Sequence, residues 1–257
     1  MSDYEAPTEE ELGDWRIAAV TWLTKDVPAT SGGAPAHKAG SVVTQAASVK
    51  LKNGANLGFT LPSATALALD MAAQSAESSM KLLRQFTWQD VITPDGPGFS
   101  VAKEDTTELF NFFQQCMITS TFSFQALEVF CNQSIGRSVK DAVTVKRRNK
   151  RVSMSASELE RQLSTSEKLS QILPPLYEVA TPKGKKVWEP FKKLQEARDS
   201  SIHFKSSHQY AVSEDTLYYD FLNGNFQHFP RAAADMISWF YKDNQPRWLK
   251  IWYEKYA

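Results

Sequence analysis

Cysteine is nearly absent from this chain: there are two in 257 residues, Cys116 and Cys131. That excludes a disulfide framework of the kind that staples small secreted domains. Both fall within one predicted helix, where fifteen residues of rise separate them by ~22 Å. A bridge needs Cα atoms within ~7 Å, so they read as buried thiols of a reducing compartment. Charge of one sign is not in excess either. Lys and Arg total 29, Asp and Glu total 29, and the formal net charge is zero. The whole molecule therefore does not act as a polycation, and any nucleic-acid contact must come from a local patch. No apolar run approaches the ~20 residues that span a bilayer. The acidic opening MSDYEAPTEEELGDW has no signal-peptide core. A soluble, cytoplasmic protein with no membrane contact is expected. Glycine-rich phosphate loops, internal repeats and zinc-ligand spacings are also missing, so neither a metal nor a cofactor is predicted.

What the chain does have is material for a core. Hydrophobic residues make up 42% and aromatics 12%, enough for one large domain or a core domain with an appendage. Residues 1–62 are read as an N-terminal extension with a small β element, and residues 63–257 as a helical domain. The first 14 residues are expected to fray. Residues 16–25 fit strand or helix, and residues 26–40 read as a loop. Asn53-Gly54 between two β-leaning runs signals a hairpin.

Beyond Pro62 the pattern is helical. One helix is predicted from Ser63 to Phe86, packing through Leu67, Met71, Met80 and Leu83. Residues 93–100 read as a turn or loop. A long helix follows from about Asp105 to Ile135. Leu109, Phe112, Phe113, Cys116, Ser120, Phe124, Leu127, Cys131 and Ile135 recur at three-to-four spacing, and Gly136 is placed to stop it. Residues 137–154 form a basic connector. Ser155 and Glu158 make a capping box for the next helix, which Pro174-Pro175 ends. Pro190 is tolerated only in a first turn, so another helix starts near Trp188 and ends between His203 and Ser206. Residues 218–224 read as a short extended piece. Residues 230–242 and 246–256 are terminal helices.

The chemistry concentrates in one run, Arg198-Asp199-Ser200-Ser201-Ile202-His203. Val187, Trp188, Phe191 and Leu194 mark an apolar helix face, and Arg198 continues it. An arginine there is either paired or functional. Ile202 is expected on the packing side, and Asp199 can orient its neighbours. His203 falls near the helix C-terminus, whose negative dipole end favours imidazolium. The bland alternative is a core arginine paired to a helix carboxylate, with His203 as a cap. Upstream, Glu128 and Asn132 share a face at i, i+4 beside Leu127 and Cys131. Polar groups at such an edge need partners, and Arg198 is the candidate for Glu128. The alternative is a structural polar pair at a helix–helix seam.

Two segments, FSFQALEVFCNQSI and KKLQEARDSSIHFK, resemble the HEPN family, helical domains found in prokaryotic toxins, abortive-infection proteins and RNA-processing nucleases. The family signature is an arginine, a polar residue and a downstream histidine, matched here by Arg198, Asp199 and His203. The likeness covers about residues 65–250 and leaves the N-terminal 60 residues unplaced. It implies a mainly α, HEPN-like bundle of four to five principal helices with a small N-terminal β-containing appendage. It also implies a metal-independent endoribonuclease, usually a dimer with facing motifs, acting as a toxin or anti-phage effector. His203 would be general acid or base, Arg198 would grip the scissile phosphate, and Asp199 would orient them. An antitoxin or sensor protein is the expected partner besides RNA. Family members that have lost catalysis give the alternative: a module binding nucleotides, RNA or protein. From a different class comes a helical scaffold subunit of a larger assembly.

Three further features carry weaker signals. Lys146, Arg147, Arg148, Lys150 and Arg151 can follow an RNA backbone, or form a solvated linker. Trp248, Trp252 and Tyr256, interleaved with Arg247, Lys250 and Lys255, can stack bases. More simply, they pack a terminal helix onto the core or across a dimer seam. His208 is close enough to His203 to join substrate binding, whereas His37 and His228 read as loop or surface residues.

Overall fold

The computed structural model describes residues 6–29, 36–93, 96–147, 150–203, 216–242 and 244–256. Within them the protein is mainly helical with four small two-stranded antiparallel sheets. Two compact units emerge. One runs to Leu67 and also includes the C-terminal segment from Pro246; the other is Ala68–Gln245. The boundary thus falls a few residues beyond Pro62, and the last helix belongs with the N-terminal unit.

In the first unit, β1 (Val20–Trp22) pairs with β2 (Val42–Thr44), and β3 (Ala46–Lys50) pairs with β4 (Asn56–Thr60). The β3–β4 turn is the expected Asn53-Gly54 hairpin. Asn53 Oδ1 accepts from the Ala55 N–H, and Gly54 takes φ 86°, which favours glycine. Residues 26–40 are not featureless, because Val27 and His37 exchange backbone hydrogen bonds. Within the described part of the acidic N-terminal segment, residues 6–14, the stretch from Glu9 to Asp14 is tied down rather than frayed. Arg247 donates to Glu9 Oε2 at 2.7 Å and to the carbonyls of Glu9, Gly13 and Asp14. Arg247 opens the last helix, Arg247–Tyr256, in which Trp248 and Trp252 are buried. A ring 1% exposed, as Trp252 is, offers no stacking platform, so the aromatic stripe packs.

The second unit is built on helices. α1 (Ala64–Leu83), which enters this unit from Ala68 onward, buries Leu69 and the small Ala72, Ala73 and Ala76, while Met71, expected in the core, is 45% exposed. α2 (Thr106–Ser138) is the central element. It continues past Gly136, which keeps a negative φ, and ends where Val139 turns extended. Its neighbours are α3 (Ala156–Gln162), α6 (Trp188–Ile202) and α8 (Phe229–Tyr241). The Ser155/Glu158 capping box is formed, and Ser164/Glu167 makes a second at α4 (Thr165–Glu167). Pro174 and Pro175 do not end a helix. They lie in the short α5 (Leu173–Leu176), entered through a π-helical turn, Lys168–Ile172. The segment expected to be extended forms α7 (Leu217–Leu222).

The unit also holds strands where connectors were expected. β5 (Trp88–Thr93) pairs with β6 (Gly96–Val101), and β7 (Val143–Arg147) pairs with β8 (Lys150–Met154). Aromatic contacts bind the helices together. Phe112 meets Phe226 at 5.8 Å, Phe130 meets Phe240 at 5.7 Å, and Phe124 stacks on Phe191 at 6.4 Å.

A candidate site on the α2–α6 seam

α6 forms because Phe191, Leu194, Ala197 and Ser201 recur at three-to-four spacing and are all buried. The helix ends at Ile202. His203 is its C-cap, with φ −106° and ψ 61°, and its N–H still donates to the Asp199 carbonyl at 2.9 Å. Arg198 therefore lies at the edge of the buried stripe rather than on it. Ile202, expected to anchor the turn, is 49% exposed, because Ser201 takes the inward position instead.

Along α2, three side chains at i, i+4 spacing meet this edge: Ser120, Phe124 and Glu128. Ser120 Oγ lies 3.2 Å from Ser201 Oγ. The Arg198 guanidinium carbon sits 4.6 Å from the centroid of the Phe124 ring, within cation–π range. Glu128 Oε1 stands 3.5 Å from Arg198 Nη2, an ion pair too long for a hydrogen bond. Asp199 Oδ1 accepts from Arg198 Nη1 at 2.8 Å. Glu128 thus meets Arg198 as the sequence suggests, and Asp199 is joined to the same group.

Asn132 goes elsewhere. Its Oδ1 accepts from Lys168 Nζ at 2.8 Å, and Lys168 also donates to the Glu160 carbonyl at 2.6 Å. Lys168 is buried at 4% exposure, and the loss of water there pulls its pKa below the usual lysine value. Nearby Glu128 partly opposes that shift. Lys168 is the residue the sequence reading missed. Its available signal was a lysine between capped Glu167 and the apolar Leu169 and Ile172, a position where an amine needs partners.

Arg198 keeps 24% of its side chain exposed, and His203 is exposed. The site thus offers a guanidinium held on one side and open on another, with an imidazole at the same helix end. The opposite face of α6 borders an open cavity of about 510 Å³, lined by Glu196, Ser200, Asp220 and His228 among others. Burial, with Glu196 nearby, raises the Asp220 pKa. The thiols of Cys116 and Cys131 are buried and pushed well above the usual range, as expected of inert cysteines. Among the described residues, no helix is long and apolar enough to cross a membrane. The same residues contain no group of three or more His, Cys, Asp or Glu placed to hold a metal ion.

Of the basic run, Lys146, Lys150 and Arg151 are exposed on the β7–β8 hairpin. The backbone of Arg147 lies in β7, while Arg148 and His208 lie outside the described residues. Comparison with protein-family models, curated proteins and solved structures finds no match.

Proposed function

We propose that the protein is a metal-independent endoribonuclease of the HEPN type, with Arg198 and His203 as its reacting groups. The observation that carries this reading is the state of Arg198. Asp199 and Phe124 hold its guanidinium in place, Glu128 pairs with it only loosely, and part of it faces solvent at the end of α6 that carries His203. A positioned, half-committed guanidinium suits bidentate capture of a phosphodiester.

In the reaction, Arg198 binds the non-bridging oxygens of the scissile phosphate and stabilises charge as it builds. The ribose 2′-oxygen attacks phosphorus as an imidazole removes its proton. The O2′–P bond forms, the P–O5′ bond breaks, and a second imidazole protonates the leaving 5′ oxygen. The products are a 2′,3′-cyclic phosphate and a 5′-hydroxyl. Successive helical residues turn by ~100°, so Arg198 and His203 leave α6 about 140° apart. Two copies with facing motifs would supply the two imidazoles and close the site, which makes a homodimer part of the proposal. The role in the cell, a toxin or anti-phage effector of the cytoplasm restrained by an antitoxin or sensor, follows from the resemblance.

The second reading is a non-catalytic HEPN-like module. Its specific support is that the Arg198 contacts with Glu128, Asp199 and Phe124 match those of a structural seam residue. Incubating a mixed RNA pool in EDTA with wild type and with His203→Ala separates the two. Cleavage by wild type that disappears in a folded His203→Ala supports the nuclease. Equal cleavage by both, or none by the isolated dimer, favours the binding module.

A further inference from the structure

β2 and β3 are separated only by Gln45, so residues 42–50 form one extended stretch. Its inward hydrogen bonds fall on odd positions. Gln45 donates to the Ala19 carbonyl and accepts from the Leu61 N–H, while Leu51, just beyond the stretch, donates to the Ala55 carbonyl. The registers Thr21↔Val43, Ala47↔Phe59 and Val49↔Leu57 place the other odd residues in the same series, with no bulge. β1 and β4 therefore line one edge of the stretch in turn.

The opposite edge is open. It carries the N–H and C=O groups of Val42, Thr44, Ala46, Ser48 and Lys50, and among the described residues no hydrogen bond reaches them. Only Thr44 and Ala47 are half-buried; the other residues of the stretch are exposed. Open edges are usually blunted by charge, proline or a bulge. Here Lys50 at the far end is the one charged residue, and proline is absent. A row of unpaired main-chain groups of this kind is a template for a further strand.

We propose that this edge pairs with the same edge of a second copy, antiparallel about Ala46, and so joins the two N-terminal units in one continuous sheet. The edge is complementary to itself. Two-fold pairing about Ala46 sets Thr44 opposite the partner's Ser48 and Val43 opposite the partner's Val49. Hydroxyl then meets hydroxyl and valine meets valine, both favourable cross-strand pairs. Val43 and Val49 are 43% and 47% exposed in the single chain, so both have surface to bury. Lys50 falls opposite the partner's Val42, and the two Lys50 ammonium groups lie at opposite ends of the interface. Ala46 is at a position whose main-chain groups face outward, so the five outward residues of each copy exchange about ten hydrogen bonds, as many as a specific interface carries. Centring the pair on Thr44 or Ser48 instead leaves much of the edge unpaired. The pairing is independent of the nuclease reading, since it uses no residue of α2 or α6 and needs no RNA.

The test is sedimentation of the full-length protein across a concentration series, without RNA. Wild type should move from the mass of one chain toward that of two. Ala46 is exposed and faces Thr60 within its own sheet. Ala46→Lys or Ala46→Glu sets like charges ~5.5 Å apart at the two-fold axis, and each should weaken dimerisation about tenfold or more. Mixing the two variants in equal amounts opposes lysine to glutamate and should restore the dimer. Amide exchange of wild type supplies an arm that needs no variant. Diluting the dimer should deprotect the amides of Val42, Thr44, Ala46, Ser48 and Lys50 and leave those of Val43, Ala47 and Val49 protected. A wild type that stays monomeric, the result expected if the edge takes a strand of a different protein, overturns the proposal. So does a dimer indifferent to both substitutions, a mixture that stays monomeric, or dilution that changes odd and even positions alike.

Discussion

Glu128 on α2 faces Arg198 on α6 across 3.5 Å, and the same guanidinium is bound more closely by its own neighbour Asp199 at 2.8 Å. The long-range pair is thus the weaker of the two, and it joins the two helices that carry the family-like segments.

A double-mutant cycle with Glu128→Gln and Arg198→Met should return a small coupling energy, about 0.5–1 kcal/mol. Both side chains are partly exposed, and solvent screens such pairs. Denaturant unfolding of the four proteins measures it. A coupling above about 3 kcal/mol would mean that the seam is a structural lock rather than an adjustable contact.

Lys168 is the more costly cation. Lys168→Met leaves the Glu160 carbonyl and the Asn132 amide without their donor, at a cost of about 1–2 kcal/mol. Its proton is held less tightly in the folded protein than in the unfolded chain, where the value is near 10.5. Between the two values the unfolded chain binds more protons, so the Lys168 contribution to stability rises with pH through that alkaline window. The buried thiols of Cys116 and Cys131 act in the opposite sense in both proteins, so unfolding midpoints measured from pH 8 upward should fall less steeply in wild type than in Lys168→Met.

The N-terminal unit has an acid-side counterpart. Arg16 donates to Asp14 and holds its carboxyl down at about 2, from 3.8. The stabilisation is present above 3.8 and is lost as pH falls toward about 2. The pair is largely exposed, so solvent reduces its size. Asp14→Asn should flatten the acid limb of the stability curve between those values, without moving the curve at pH 7 by more than about 1 kcal/mol.

Gly136 sits exposed within α2, and a Cβ there would meet Glu160 Oε1 at 3.2 Å. That atom is the far end of a flexible side chain and can move aside. Gly136→Ala should therefore stabilise the protein by about 0.5–1 kcal/mol through helix propensity. A lower melting temperature would show that the carboxylate cannot yield.

Much of the helical frame was readable because its signals are local. The α2 and α6 stripes, the Ser155/Glu158 box and the Asn53-Gly54 hairpin each lie within a few turns of chain. So was the meeting of Glu128 with Arg198, since an edge carboxylate and an edge guanidinium each need a partner. Asn132 was unreadable because a neutral amide has no charge to match, and only tertiary packing chooses Lys168 as its partner. The hairpins β5–β6 and β7–β8 were hidden by Pro, Gly and clustered charge, which oppose strand formation locally and are overridden by pairing. Met71 and Ile202 show the limit of hydrophobic pattern. In each case a smaller neighbour, Ala72 or Ser201, takes the buried position, and the larger side chain is left outside.

The central claim is that Arg198 and His203 drive 2′-hydroxyl attack on RNA. The most direct measurement is cleavage, in EDTA, of one defined RNA and of its copy with a single 2′-deoxyribose at the mapped cut. Wild type, Arg198→Ala and His203→Ala are compared, and product ends are analysed. The account predicts cyclic-phosphate and 5′-hydroxyl ends from wild type, no cut at the deoxy position, and at least a hundredfold loss in either variant. Cutting at the deoxy position, or variants as active as wild type, would contradict it.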